Sequence, residues 1–456
     1  MPACSFDKNS AQLQWNPYFI PFAAFKRRMP FDAPEIDSGK RHSLRALQAS
    51  NFFLADVQTG LGPFLAAYLA GAGWKPGPVG VVLTLGGVIT VLLQTPAGAI
   101  VDQVHSKRQV LVLGTLVLAI GAALLSLSTA PWTVYPAQLL IGGAGPFLAP
   151  TLAAITMGLV GPRLFDRQFG KNQAYNSAGN VACALLIIAI SRFVGNRAIF
   201  ITAALLTVPT IVSVLSIRGG DIDYRLARGG TTSSGARGDQ KAESVLGVLA
   251  GDRVLAVFLV CAFFFHFANA AMLPELGEML SKQSTGLAAP LMSACIIVTQ
   301  VVITCSAASI GRFANVHGRK PLLLLGFGVL PFRALFYTLT QKMFALIAIQ
   351  LFDGIANAIF GVVAILVVAD RTRGSGRFNL AQGALAAAVG IGAALSNLFG
   401  GKMIQYYSFH ASFLALGAVA AIAFAVLLFG VPETLKNGDP DSLPPGSQAE
   451  AEVAST

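Results

Sequence analysis

Twelve long apolar segments dominate this sequence, and each has about the length of a helix that crosses a lipid bilayer. A helix needs about 20 apolar residues to span the hydrocarbon core. The first six segments lie at 46–70, 77–100, 109–129, 134–159, 173–195 and 198–217. The second six lie at 253–277, 289–311, 321–340, 343–369, 379–400 and 410–431. The sequence therefore predicts an all-α integral membrane protein with twelve transmembrane helices.

The composition supports this prediction and excludes most soluble classes of protein. Of the 456 residues, 54% are hydrophobic and 12% are charged, whereas about 25% of the residues in ordinary soluble domains are charged. A soluble core could not bury so much apolar surface, but a bilayer can. The net charge of +11 is spread over short loops, so we expect the lipid bilayer as partner and no nucleic acid.

Polar stretches divide the segments into two groups of six. The longest stretch between segments is rich in Gly, Ser and Arg, which is typical of a flexible linker. The predicted parts are an N-terminal extension (1–42), a six-helix bundle (43–217), the linker (218–252), a second six-helix bundle (253–434) and a disordered tail (435–456).

The basic residues predict the orientation in the membrane. Of the 32 Lys and Arg residues, 25 fall on the side that carries the linker, six fall on the opposite side, and Arg333 lies within a segment. Because short cytoplasmic loops carry an excess of Lys and Arg, both termini are expected in the cytoplasm. We expect a multi-pass protein of the bacterial inner membrane.

Two basic turns lie at corresponding places in the two halves. The first comprises Gly98, Asp102, Lys107 and Arg108, and the second comprises Gly311, Asn315, Gly318, Arg319 and Lys320. Aligning their glycines gives an offset of 213 residues. Such basic residues are expected to hold a loop at a negatively charged membrane face.

Other matches extend this repeat at nearly the same offset. Gln138 corresponds to Gln350 at an offset of 212, and Pro63 corresponds to Pro274 at 211. Because both halves begin on the same side of the membrane, they indicate a parallel duplication with two pseudo-symmetric bundles.

The two turns resemble the loop signature of the major facilitator superfamily (MFS), and the resemblance covers about residues 43–434. That signature is a glycine, three residues, Asp, two residues, a glycine and a basic pair. The first copy has His105 and Ser106 in place of the second glycine and the first basic residue, and the second copy has Asn315 in place of Asp. The resemblance implies two bundles around a central cavity and transport by alternating access.

The resemblance also assigns expectations to particular residues. The basic turns are expected to close a cytoplasmic gate, with Asp102 meeting a helix end or an Arg of the other half. Segment four has Gln138 where many proton-coupled exporters of the family have Arg, and segment five lacks the glycine-proline signature of drug antiporters. These departures argue against a drug/proton antiporter.

The candidate binding residues are the few polar groups inside apolar segments. An ionised side chain at mid-bilayer costs about 2.5–3.5 kcal/mol, so it is expected to face a cavity or a partner. Asp56 and Gln58 in segment one are candidates for binding a proton or a cationic substrate, with a hydrogen bond to a neighbouring helix as the alternative. His266 and Asn269 in segment seven share a helix face, with simple packing as the alternative for His266.

Segments five, nine and ten supply the remaining candidates. Asp353 and Asn357 share one face of segment ten, and Arg333 in segment nine lies at a similar depth. Arg333 and Asp353 are therefore candidates for a structural ion pair, while Asp353 remains a candidate for binding substrate or protons. The stripe of Asn172, Asn176 and Asn180 could contact substrate or bridge helices. We expect Asp56, His266 and Asp353 to converge on one aqueous chamber between the halves, and Glu275, near the outer surface, to be solvated.

The function that these observations favour is secondary active transport of a small organic solute, for which the resemblance suggests export. Proton coupling, the substrate and the direction stay open. The alternatives are a non-transporting receptor or scaffold with this fold, and an intramembrane enzyme. The chain has no phosphate-binding Gly-x-x-x-x-Gly-Lys loop and no catalytic motif. Its five cysteines lack metal-ligand spacing. We therefore expect no catalytic residues, no metal and no cofactor, and we expect a monomer.

Overall fold

The computed structural model describes residues 38–59, 61–228, 251–283, 288–373 and 377–435. Within these ranges the regular secondary structure is helical, as the sequence predicted. The α-helices are α1 Arg41–Thr59, α2 Leu61–Gly71, α3 Pro76–Gln103, α4 Lys107–Leu127, α5 Pro131–Val160, α6 Pro162–Val194, α7 Ala198–Ser216, α8 Arg253–Asn269, α9 Met272–Gln283, α10 Ala288–His317, α11 Lys320–Leu339, α12 Met343–Thr372, α13 Phe378–Tyr406 and α14 Phe409–Gly430. Most of the predicted N-terminal extension and C-terminal tail lies outside the described residues.

The helices account for the predicted membrane crossings. In the described part of the chain, eleven helical stretches are long and apolar enough to cross a membrane, with α8 and α9 counted as one. The shorter apolar helix α2 continues α1 and gives the remaining crossing. The helices pack into one compact unit that begins at His42.

Two predicted boundaries are wrong. Segment five was expected to begin at 173, but α6 begins at Pro162. Gly161, at a φ of 70°, ends α5. Proline is favoured at the first helical position because a backbone N–H would have no partner within the helix there, so its absence costs nothing. The first three turns of α6 are polar, so hydropathy alone does not reveal them.

The first part of the predicted flexible linker is also ordered. Residues 219–221 and 226–228 form short 3₁₀ turns. The backbone N–H of Asp223 donates to the Gly158 carbonyl over 2.9 Å, and Ile222 is buried against α5. The chain therefore packs onto the first half up to residue 228, while residues 229–250 lie outside the described residues.

The duplication is visible in the positions of two prolines. The seventh span is broken at Ala270 and Ala271, between α8 and α9, and Pro274 is the third residue of α9. Proline disfavours a continuous helix because it has no N–H and its ring collides with the carbonyl four residues earlier. Pro63 lies at the equivalent position of the repeat, as the third residue of α2, while Gly60 between α1 and α2 lies outside the described residues.

The two halves contact each other through paired helices. Contacts between the halves are made by α3 with α13, by α6 with α10 and by α2 with α9. Where α3 crosses α13, a Cβ atom on Gly80 would collide with the Asn397 carbonyl, and one on Gly401 would collide with the Pro76 carbonyl. Glycine at these two positions permits the close approach of the backbones.

The contacts between the halves are tight at one end of the helices. We call the end that carries the basic turns and residues 218–228 the linker end, and the opposite end, with the loops 72–75 and 407–408, the far end. Near the far end, Ser281 donates to the Ala67 carbonyl over 2.6 Å, and the Gly77 N–H donates to the Gln405 side chain over 3.0 Å. These contacts close the far end.

Candidate functional site

A cavity of about 860 Å³ lies between the halves. Helices α1 to α6 contribute most of its lining, and the second half contributes Ala270, Pro274 and Asn397. The lining includes Phe169 of α6 and Ala153 of α5, which lie toward the linker end of their helices. The cavity therefore extends from the middle of the protein toward the linker end, while the far end is closed.

The polar lining of the cavity consists of neutral groups. None of the described lining residues is ionisable, and the polar ones are Asn51, Thr90, Gln94, Gln138, Gln173, Asn176 and Asn397. Amide side chains offer both donors and acceptors. The remaining lining is largely Gly, Pro, Ala and Leu. Such a surface can bind an uncharged solute that has hydrogen-bonding groups and an apolar body.

Gln138 occupies the central position where α3 and α5 cross. The two helix backbones touch at Gly86 and Gly142, because a Cβ atom on Gly142 would collide with the Gly86 backbone. A Cβ atom on Gly86 would lie 2.6 Å from the Gln138 amide nitrogen. The glycines bring the helices together, and Gln138, which is 7% exposed, projects at the cavity wall.

The asparagine stripe on α6 combines both roles that the sequence allowed. Asn172 is buried and donates to the Thr156 hydroxyl on α5 over 2.9 Å, so it joins two helices. Asn176 lines the cavity and donates to the Asn51 carbonyl over 3.5 Å. Asn180 donates to the Asn176 side chain over 3.5 Å. Within the stripe, Asn176 is the residue that reaches the cavity.

Asp56 and Gln58 lie in the last turn and a half of α1, and their side chains lie outside the described residues. Asn51 on the same helix and Gly62 and Pro63 at the start of α2 line the cavity. The backbone of α1 therefore brings the two candidates to the level of the cavity.

Arg333 and Asp353 are in direct contact in the second half. A guanidinium nitrogen of Arg333 lies 2.9 Å from a carboxylate oxygen of Asp353, and both side chains are buried. Asp353 also accepts hydrogen bonds from Asn269 over 3.3 Å, from Thr299 over 3.1 Å and from Asn357 over 2.9 Å. Its carboxylate thus has four polar partners on four helices.

The guanidinium of Arg333 is held from other sides as well. It donates to the side chain of Asn269 and, over 3.3 Å, to Gln350. The Gln350 amide in turn donates to the Tyr337 hydroxyl. Neither Arg333 nor Asp353 is among the residues that line the cavity. This geometry favours a clamp between α8, α10, α11 and α12 over a substrate-binding role.

The same place in the first half has an apolar contact. Subtracting 212 from Arg333 and Asp353 gives Gly121 and Ile141. A Cβ atom on Gly121 would lie 2.7 Å from the Ile141 side chain. The duplicated fold therefore brings the same two positions together twice, once as an ion pair and once as apolar packing.

His266 lies among aromatic rings. Its ring centroid is 4.6 Å from that of Phe360 and 5.2 Å from that of Phe265. Its Nδ1 lies 3.2 Å from the Ala262 carbonyl of the preceding turn. His266 is not among the residues that line the cavity. The expected convergence of His266 and Asp353 on one chamber is therefore wrong, because their side chains find partners within the second half.

In the first basic turn, the expectation that the basic pair lies at the membrane face is wrong for Lys107. Lys107 is fully buried, and its ammonium donates to the Val101 carbonyl and, over 3.3 Å, to the Asp102 carbonyl. It thereby compensates the negative end of α3. Arg108 donates to the Leu215 carbonyl over 3.0 Å. Asp102 is exposed, so the expected contact with the second half is absent from this conformation of the described residues.

In the second turn Arg319 takes the place of Lys107, because its side chain is also buried and donates to a carbonyl near the end of the preceding helix. Arg319 is 6% exposed and donates to the Ala314 carbonyl over 2.6 Å and to Asn315 over 2.9 Å. It also pairs with Asp370 over 3.1 Å. Both turns are therefore stabilised within their own halves.

Glu433, just beyond α14, completes the second turn. Its carboxylate accepts the backbone N–H groups of Arg319 over 2.8 Å and of Lys320 over 3.0 Å. Partial burial tends to raise the pKa of Glu433, but the N–H donors of Leu435, Arg319, Lys320 and Thr434 outweigh burial, so its pKa lies below the ordinary value. Glu433 also lies where a Cβ atom on Gly318 would point, and Gly318 has a φ of 99°.

Some residues that the sequence analysis missed are found at the cavity and behind it. Asn51, Gln94, Gln173 and Asn397 line the cavity, but isolated amides in or near apolar segments have no sequence pattern that would identify them as cavity residues.

The expectation that Glu275 is solvated is wrong, because it is 2% exposed. Its burial comes from packing of α9 against other spans, which no pattern within segment seven reveals.

The comparisons with known proteins agree with this architecture. The family model of the Major Facilitator Superfamily matches residues 49–308 and again residues 255–450, so its first match alone covers more than half of the chain. The chain belongs to the major facilitator superfamily. This MFS protein is therefore an integral, multi-pass membrane transporter rather than an enzyme.

Individual relatives differ in how much of this MFS protein they cover. An uncharacterized MFS-type transporter of Mycobacterium tuberculosis strain H37Rv is 40% identical over 392 residues, which is 86% of this chain and 93% of the relative. The multidrug resistance protein MdtH of Salmonella typhimurium is 33% identical over 114 residues, which is 25% of this chain and 28% of the relative.

Solved structures share the fold of this MFS protein at low sequence identity. The nucleoside transporter NupG has a TM-score of 0.67 at 15% identity, and the match covers 85% of this chain and 97% of that structure. A D-xylose–proton symporter has a TM-score of 0.66 at 16% identity, and the match covers 86% of this chain and 98% of that structure. At these identities the likeness concerns the fold alone.

Proposed function

We propose that this MFS protein is a secondary active transporter that carries a small, uncharged organic solute by alternating access. The observation that carries the proposal is the cavity of about 860 Å³ between two related halves, closed at the far end and extending toward the linker end. In this mechanism the two bundles rock about a central site and expose it to each side in turn.

The chemistry of the cavity supports an uncharged solute. Its described polar lining consists of one hydroxyl and six amides, with apolar residues between them. Charged groups of a solute would find no opposite charge among the described lining residues, and a buried charge without a partner is costly. Gln138 on α5 and Asn176 on α6 lie in different walls of the cavity, so one solute could bridge them. Asp56 retains the alternative role of binding a proton or a cationic solute.

The loop charges support a proposed orientation in the membrane, and the name of one relative supports a proposed direction of transport. The excess of Lys and Arg at the linker end supports placing that end and both termini in the cytoplasm of a bacterial inner membrane. In that orientation this conformation is inward-facing, and we propose that the protein works as a monomer. The name of the multidrug resistance protein MdtH supports export. The departures of segments four and five from drug antiporters leave the solute class wider than drugs.

The competing function is a receptor or scaffold that binds a solute without moving it. Flux in proteoliposomes separates the two functions, because a receptor would bind without transport. A thermal-shift screen of the purified protein against uncharged solutes with amide and hydroxyl groups would first identify a ligand. Radiolabelled ligand would then be followed across proteoliposomes.

The cavity supplies the variants for this experiment. Gln138→Leu and Asn176→Leu remove the amides while keeping a similar volume, and we expect each to weaken binding by about 5- to 100-fold, as the loss of a buried hydrogen bond does. Gln103→Leu, at the exposed end of α3, is the matched control and should leave binding unchanged. If neither cavity substitution changes the affinity for the ligand or the rate of flux, the proposed site is wrong.

A further inference from the structure

A second recess lies on the first half at the linker end, apart from the central cavity. Its volume is about 430 Å³, within the range of about 300–1,000 Å³ that ligand pockets typically have. We call it the α4–α7 groove, because it follows the contact between the start of α4 and the end of α7. Its lining includes Arg108, Gln109, Leu113, Leu116, Leu215 and Tyr224. None of these residues lines the central cavity, so the groove is a separate site.

The polar end of the α4–α7 groove is basic. Arg108, the second residue of α4, is half-buried and donates to the Leu215 carbonyl over 3.0 Å. A guanidinium has five N–H donors, and the Nε of Arg108 lacks a hydrogen-bond partner. Within the described part of the chain Arg108 makes no ion pair. Its positive charge can therefore be neutralised by an anionic ligand.

The two acidic residues of the ordered linker segment are engaged by other groups. Asp221 accepts the Ser43 hydroxyl of α1 over 2.5 Å, and Asp223 accepts the backbone N–H of Arg225 over 2.8 Å. Arg225 and Arg218 of the same segment are exposed. Together with Arg108 at the start of α4, they give this end of the groove an excess of positive charge, which attracts anions.

The linker segment and α4 meet at this polar end. A Cβ atom on Gly219 would lie 3.2 Å from a guanidinium nitrogen of Arg108 and 3.7 Å from the Tyr224 hydroxyl. Both side chains therefore lie beside Gly219 and form one wall of the groove. A ligand held by Arg108 would also contact Tyr224, and through it would connect the linker segment to the first half.

The remainder of the α4–α7 groove is apolar. Leu113, Leu116 and Leu215 are large hydrophobic side chains that are exposed. At a rise of 1.5 Å per residue, Leu113 and Leu116 lie about 7.5 and 12 Å further along α4 than Arg108. The headgroup layer on each side of a bilayer is about 5–8 Å thick. With Arg108 at the level of the lipid phosphates, the two leucines of α4 lie at the level of the acyl chains.

We propose that the α4–α7 groove binds an anionic phospholipid, whose phosphate pairs with Arg108 and whose acyl chain lies over Leu113, Leu116 and Leu215. A free phosphate would use the polar end alone and leave the apolar part of the groove unfilled. A zwitterionic phospholipid would bring its own cation to an end that already carries an excess of positive charge. The bound lipid holds the ordered linker segment against α4. This inference concerns the first half alone and does not depend on the proposed function.

The test is native mass spectrometry of the purified protein titrated with phosphatidylglycerol or with phosphatidylethanolamine of the same acyl chains. The first phosphatidylglycerol should bind at least about fivefold more tightly than phosphatidylethanolamine. Arg108→Gln should weaken this binding by about 5- to 100-fold, because the phosphate loses a charged donor. Arg312→Gln removes the same charge at an exposed position of the linker end in the second half, so it is the matched control and should leave the binding unchanged.

A second variant tests the apolar part of the groove. Leu113→Trp fills it at an exposed position and keeps Arg108, so it should also weaken the binding of phosphatidylglycerol, and it serves if Arg108→Gln does not fold. Glycerol phosphate, which carries the anionic group without acyl chains, should not displace the lipid.

Hydrogen–deuterium exchange tests the consequence for the linker segment. Residues 218–228 should exchange their amide hydrogens more slowly in nanodiscs of phosphatidylglycerol than in nanodiscs of phosphatidylethanolamine, and Arg108→Gln should remove this difference. Equal affinity for the two lipids, displacement by glycerol phosphate, or undiminished binding in both groove variants would overturn the proposal.

Discussion

Arg333 and Asp353 form a buried ion pair 2.9 Å long at the position where the first half of the protein packs Gly121 against Ile141. The two halves therefore fill the same position of the repeat differently, one with an ion pair and the other with apolar packing. Because the first half has an apolar contact there, the fold itself does not require charge. The ion pair is therefore specific to the second half, where Arg333 on α11 and Asp353 on α12 join their helices to α8 and α10.

The first prediction concerns the stability of this pair. Asp353→Leu leaves the buried guanidinium of Arg333 without its counter-ion, and breaking a buried pair in this way costs about 3–5 kcal/mol. Asp353→Leu combined with Arg333→Leu should recover most of that loss, because no charge then remains buried. Thermal unfolding in detergent would measure both variants. A single variant as stable as the unsubstituted protein, or a double variant less stable than either single one, would contradict the clamp.

The second prediction concerns closure of the far end. Gly80→Val should hold the far end open, because its Cβ would collide with the Asn397 carbonyl and its branched side chain would separate α3 from α13. The distance between spin labels on Ala72→Cys and Tyr407→Cys, which are exposed far-end positions in the two halves, should lengthen in lipid nanodiscs. Gly383→Val on the partner helix α13 is the matched control, since nothing lies within 4 Å of a Cβ atom there. An unchanged far-end distance in Gly80→Val would contradict the assigned contact.

The third prediction is a pH dependence at Glu433. Because hydrogen bonds from the turn lower the pKa of Glu433 below its ordinary value of 4.5, its contribution to stability is complete above that value. The contribution is lost as the pH falls through the lowered pKa. Glu433→Gln should cost about 1 kcal/mol at pH 7, allowing for solvent exposure. Thermal melts should show this difference shrinking at acid pH, and a difference that grows on acidification would contradict the assignment.

The fourth prediction addresses Asp56, whose role remains a proposal. If Asp56 binds a proton or a cationic solute beside the cavity, Asp56→Asn should change the rate of solute flux and flatten its dependence on pH. The measurement is flux in proteoliposomes over a range of pH, with Asp223→Asn as an acid-to-amide control at an exposed site outside the spans. Flux and a pH profile that match the unsubstituted protein would remove Asp56 from the mechanism.

The fold was predictable because a bilayer imposes strong local constraints. Span length and apolar composition identify a crossing without any knowledge of its neighbours. The equivalent prolines Pro63 and Pro274 were visible as a repeat, and the structure shows that each is the third residue of a helix. The start of α6 was missed because the polar turns before it lie outside the apolar run.

The site was only partly predictable, because contacts across helices leave little trace in one sequence. Matching the depths of Arg333 and Asp353 in neighbouring segments predicted their contact. Nothing within segment seven indicated that Glu275 is covered by α13 and α14, so its position near a span end suggested solvation. Lys107 was expected at the membrane face, but the free carbonyls at the end of α3 attract its ammonium into the turn.

The measurement that tests the central claim most directly follows both ends of the protein while solute binds. Labels at Ala72→Cys and Tyr407→Cys report the far end, and labels at Gln103→Cys and Val316→Cys, which are exposed at the linker end, report the other. Alternating access predicts opposite changes in lipid nanodiscs, with one distance lengthening as the other shortens when the solute from the thermal-shift screen is added. Two distances that remain fixed, or that change in the same direction, while solute occupies the cavity would contradict it.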